Sequence, residues 1–175
     1  MLTSRLPGRV EPYKLAARAE HLEGLVALAE LARLEDEVGA QSGDGQVWLD
    51  FAIDPQGRRE IRGHLEAELQ IPCRRCLQPM AQRVESDFRL GMVTSDALAA
   101  ELPSTHEPVL VENEQLNLMA VVEDEIILSL PQVVYHDEAE CPVSRDQLTS
   151  GEATDASADA PANPFDVLRQ IKGKL

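Results

Sequence analysis

Strict alternation of apolar and polar side chains is strongest between residues 47 and 90. Val47, Leu49, Phe51 and Ile53 alternate with polar or small residues, the pattern of a strand with one buried face. Asp54-Pro55-Gln56-Gly57 supplies a turn, because proline presets φ and glycine accepts positive φ. Ile61, Gly63, Leu65, Ala67, Leu69 and Ile71 then alternate with Arg62, His64, Glu66, Glu68 and Gln70, which predicts a long strand. A return strand over 81–90 follows, with Val84, Phe88 and Leu90 alternating less regularly. The three segments predict an antiparallel meander with Cys73 and Cys76 at the tip of its second hairpin.

Elsewhere the spacing is helical or irregular. Residues 13–23 have helical composition up to Gly24, 25–28 read as a short strand, and 29–38 as a helix with Leu31, Leu34 and Val38 on one face. The polar stretch 94–108 reads as a loop, and 108–111 as an edge strand. Asn117 is a predicted N-cap for a helix over 118–130 that stops before Pro131. Leu118, Val122, Ile126 and Leu130 mark its apolar face, and Glu123, Asp124 and Glu125 give it an acidic surface. The expected fold class is α+β: an antiparallel β-meander with a Cys-x2-Cys hairpin tip, packed against helices. One domain is expected over 1–148, a disordered acidic linker over 149–162, and a short amphipathic C-terminal tail over 163–175.

Charge narrows the function. The 175 residues carry a formal net charge of −15, so a uniform nucleic-acid-binding surface is not expected. Residues 58–89 hold seven arginines against five acids and form a mildly basic island; the remaining chain carries −17. Three cysteines, two of them two residues apart, do not resemble a secreted disulfide framework. With no signal-peptide core and no long apolar run, a soluble, cytoplasmic protein without membrane contact is expected.

Four side chains have the chemistry of a metal site. Cys73 and Cys76 can grip one soft cation from a tight turn, and His136 and Cys141, five residues apart, complete a Cys3His set by count. One structural Zn2+ is the candidate cofactor, with the neighbouring arginines lowering the thiol pKa values; two ordinary turn cysteines are the open alternative. A thioredoxin-like role fits poorly, because the pair follows a strand rather than opening a helix. His21, His64 and His106 lie in polar surroundings and are expected to be exposed. No phosphate loop or nucleophile triad occurs, so no enzyme is expected. Arg62, Arg74, Arg75 and Arg83 are candidate RNA contacts on a projecting tip, and Glu123, Asp124 and Glu125 are candidate contacts to a basic partner.

The segment Glu68-Leu69-Gln70-Ile71-Pro72-Cys73-Arg74-Arg75-Cys76-Leu77-Gln78-Pro79 resembles the cysteine hairpin of the YceD family, the large-ribosomal-RNA-subunit accumulation proteins of bacteria. Residues 117–131, His136 with Cys141, and Asn163-Pro164-Phe165 are similar to further family segments. The resemblance implies a non-enzymatic role in synthesis, processing or stability of 23S ribosomal RNA, during large-subunit assembly. Its implied partners are ribosomal RNA or a pre-ribosomal particle and a basic ribosomal protein. The alternative is an acidic protein-interaction or holdase-like module that never touches RNA. Many relatives have a cysteine-rich segment after the helix where this chain offers only His136 and Cys141.

Overall fold

The computed structural model describes residues 3–144 and 147, and its main unit runs from the N-terminal residues to Cys141. The expected linker over 149–162 and tail over 163–175 lie outside the described residues. Five strands form one sheet in sequence order: β2 (His21–Ala27), β3 (Asp44–Ile53), β4 (Arg59–Pro72), β5 (Pro79–Val93) and β6 (Glu107–Leu110). The first four are antiparallel neighbours; β6 joins β5 in parallel. A two-stranded ribbon pairs β1 (Arg9–Val10) with β7 (Leu116–Asn117). The helices are α1 (Pro12–Ala17), α2 (Ala32–Val38), α3 (Asp96–Ala99) and α4 (Leu118–Leu128), with a 3-10 turn at Leu28–Glu30.

The alternation sorts as predicted. Val47, Leu49, Phe51, Ile61, Leu65, Leu69, Val84 and Leu90 point into a core completed by Leu34, Leu118, Val122 and Ile126 of the helices. Full burial of such a side chain contributes roughly 1.5–3 kcal/mol, so this face fixes the strand register. At Gly63 the missing Cβ makes room for the Phe88 ring, which would lie 2.0 Å from that atom. The opposite face of β3, β4 and β5 is polar. There Trp48, the only tryptophan, is half-buried and its ring lies 5.3 Å from that of its cross-strand neighbour His64.

Two expectations change at the N-terminal end. The helix over 13–23 stops at Ala17, and the strand expected at 25–28 begins at His21. Leu22, Gly24 and Val26 carry the inward alternation, but Gly24 has no side chain to reveal it. Its bareness is needed, since a Cβ would sit 2.7 Å from the Leu6 backbone nitrogen, where residues 4–6 run hydrogen-bonded along Leu25. The helix expected over 29–38 breaks at Leu31, leaving only Ala32–Val38 as α-helix.

The stretch over 94–108 is not wholly loop. It carries α3, whose Ser95 hydroxyl accepts from the Leu98 amide, and it covers the far end of the sheet. His106, expected in solvent, is buried there, and its Nε2 lies 2.9 Å from Oε2 of the fully buried Glu60. Arg62 and Arg89 donate to the same carboxylate at 2.6 Å and 2.7 Å. Burial pushes the Glu60 pKa up, but the bonds from His106, Arg89 and Arg62 outweigh it and hold it low. A depressed carboxyl pKa stabilises above the unfolded value, and the effect is lost as pH falls through the folded value. Replacing Glu60 by Leu strands the three donors, so we expect a loss of about 3 kcal/mol at pH 7 by urea unfolding. The difference from wild type should shrink as the pH falls below the unfolded carboxyl value.

Candidate metal centre

The tip of the β4–β5 hairpin is a compact knuckle. Pairing runs without a break from Glu60↔Gly91 to Pro72↔Pro79 and delivers Cys73 and Cys76 to a fixed place. The turn is closed by the Cys73 amide on the Gln78 carbonyl and the Leu77 amide on the Cys73 carbonyl, both at 2.9 Å. Leu77 takes a φ of +59° to close it, a conformation few side chains adopt readily.

Residues after α4 return onto this turn. The Arg74 amide donates to the Val134 carbonyl at 2.9 Å, and the His136 amide approaches Cys73 Sγ at 3.5 Å. A tight turn, with the Cys141 amide on the Asp137 carbonyl, brings the third cysteine back. Donor atoms of Cys73, Cys76, His136 and Cys141 all lie within 4.8 Å of one another, and Cys76 Sγ is 3.3 Å from His136 Nδ1. A tetrahedral zinc with Zn–S near 2.3 Å and Zn–N near 2.0 Å separates its donors by about 3.5–3.8 Å. The four donors therefore fit one cation of that kind with little movement.

The two knuckle thiols are unlike. Burial pushes Cys73 up, but the backbone N–H groups of Cys76, His136 and Arg75, with the His136 side chain, hold it down to about 5. Cys76 is pushed up by burial and by Cys73 and Cys141, against the Gln78 amide. The lowering at Cys73 thus comes from backbone amides and the His136 side chain, not from the arginine charge that the sequence suggested.

The candidate arginines do not form one surface. β4 is 14 residues long, roughly 45 Å, with Arg62 near one end and Arg74 just beyond the other. Arg62 is bound to Glu60, and Arg83 donates to Glu66 at 2.9 Å. Arg74 is exposed, beside Leu77 at 73% exposure. Arg75 does not project: its side chain is 8% exposed and its guanidinium donates to the His136 carbonyl at 2.6 Å. The returning segment 134–138 covers it, and nothing in its own sequence position signalled that.

The acidic helix surface also proves mostly internal. Glu123 is buried and accepts from the amides of Arg33 at 2.7 Å and Leu34 at 3.2 Å, capping α2, whose own Leu31 has no side chain to do so. Asp124 is exposed and pairs with Arg33. Glu125 is buried.

Comparison with known proteins adds a family. Residues 61–172 match the family described as Large ribosomal RNA subunit accumulation protein YceD. The chain belongs to the YceD family. It is 35% identical over 171 residues to the Large ribosomal RNA subunit accumulation protein YceD of Haemophilus influenzae, covering 97% of this chain and 98% of that one. No solved structure matches. The YceD match begins at Ile61 in β4, so it takes in the knuckle, α4 and the returning segment but not α1 to β3. Among the described residues, no helix is long and apolar enough to cross a membrane.

Burial, then the charges of Glu107 and Asp124, push the Glu125 carboxyl up to about 7. A raised carboxyl pKa stabilises fully below the unfolded value near 4.3, and that contribution is lost as pH rises through about 7. Glu125→Gln should therefore stabilise the fold at pH 8, on the order of 2 kcal/mol, and leave it unchanged at about pH 3.5, below the unfolded value. Thermal melts of both proteins at the two pH values check this; equal melting at pH 8 contradicts it.

Proposed function

We propose that this YceD family member is a non-enzymatic cytoplasmic factor promoting synthesis, processing or stability of 23S ribosomal RNA during large-subunit assembly. The name of the family and of the Haemophilus influenzae relative supports the ribosomal RNA connection. The observation that carries the reading is the closed knuckle. The four donors would fill every position of a tetrahedral zinc and leave none for a substrate. What remains outside is a braced turn offering Arg74 and Leu77, with Tyr135 at 51% exposure. Arg74 is the leading RNA contact, and Arg62 and Arg83 are outlying ones. Their contacts go to phosphates and position RNA rather than read its bases. Arg75 supports this surface from inside.

A second reading has its own support. Glu66 and Glu85 face each other directly across β4 and β5 on the open sheet face, within a chain of net charge −15. That surface suits a basic ribosomal protein without direct RNA contact, with Asp124 adding to it more than Glu123 or Glu125.

Zinc is the metal we assign. Protein purified under reducing conditions should carry about one zinc per chain, and Cys73→Ser should lower both metal content and melting temperature. Metal-free wild type whose melting ignores a chelator rejects the assignment. Depleting the protein should reduce mature 23S relative to 16S RNA or raise 23S precursors, with Arg74→Glu failing to restore it. Unchanged 23S amounts and processing across growth conditions reject the function. Crosslinking in cells separates the readings: RNA adducts near Arg74 support direct contact, and exclusively protein adducts support the second.

A further inference from the structure

Arg75 is buried in a way that its visible partners do not explain. Its guanidinium donates one bond to the His136 carbonyl and lies over the Tyr135 ring, 5.6 Å from the centroid. The nearest carboxylate is that of the well-exposed Glu138, 3.9 Å away. Its Nε is buried with no hydrogen-bond partner among the described residues. A cation held that deep is unfavourable unless a negative charge sits close by. The quartet beside it supplies one when loaded, because three thiolates around a divalent ion leave the centre with a net negative charge.

We propose that Arg75 is the positioning residue and internal counter-cation of the Cys73, Cys76, His136 and Cys141 centre. The proposal rests on the metal reading above. One residue reaches both halves of the centre: its backbone amide approaches Cys73 Sγ at 3.4 Å, and its side chain fastens His136 by the carbonyl. Its place between the two hairpin cysteines sets the first contact, and the planar fork of the guanidinium suits the second while its face rests on Tyr135. Partners that orient metal ligands in this way typically contribute about 10–100-fold to metal affinity.

The test uses the full chain, stripped of metal and titrated with Zn2+ against a chelating dye and with Co2+ by absorption. Arg75→Met should bind both ions about 10–100-fold more weakly, and its Co2+ bands should move as His136 loosens. Arg75→Lys should recover part of the affinity through its charge, yet not the wild-type Co2+ spectrum, because an ammonium lacks the planar fork. Arg74→Met, on the exposed neighbour, should match wild type in both. Wild-type affinity and spectrum in Arg75→Met overturn the proposal. If that variant does not fold, Arg75→Lys decides alone, and an unaltered spectrum overturns it. A wild type that takes up neither ion overturns the metal reading itself, and this role with it.

Discussion

Two strands of 14 and 15 residues, paired without a bulge, leave almost no freedom in where their connecting turn can sit. A slip of one residue would turn Ile61, Leu65 and Leu69 to solvent, so burial on one face fixes the position of Cys73 and Cys76 at the other end. The same core anchors α4 through Leu118, Val122 and Ile126, and the chain leaving α4 therefore starts close to the hairpin tip. The metal donors meet because two independently packed elements end near one another, before any ion adds its own attraction. Hydrogen bonds from Arg74 to Val134 and from Arg75 to His136 then hold the junction.

The charge distribution follows a similar logic. An acidic chain folds by using its few cations internally. Arg62 and Arg89 serve Glu60, Arg33 serves Glu123 and Asp124, Arg58 serves Asp54, and Arg83 serves Glu66. The basic island of the sequence is consequently divided between the two ends of one long hairpin. Of its arginines, Arg74 is the one the knuckle leaves exposed.

The meander, its tip, the cap at Asn117 and the helix ending before Pro131 were legible in the sequence, because each depends on local periodicity or on one residue's backbone chemistry. Asn117 does accept from the Ala120 amide, and α4 ends within two residues of the expected stop. What stayed hidden depends on contacts between distant segments. Strand β2 was masked by Gly24, whose inward position has no side chain to count. Glu123 looked like surface because nothing in its own helix shows that α2 lacks a cap. His106 and Arg75 looked exposed for the same reason: the segments that cover them, or that they cover, are tens of residues away. The quartet itself was legible as a set of residue types, while its closeness required the fold.

Trp48 stands apart from every apolar cluster, on the polar face of β3 against the His64 imidazole. As the chain has no other indole, its fluorescence is a reporter of that outer face rather than of core collapse. An emission change without any change in backbone circular dichroism would register something settling on the sheet, and the molecule thus carries a built-in optical probe of its own occupancy.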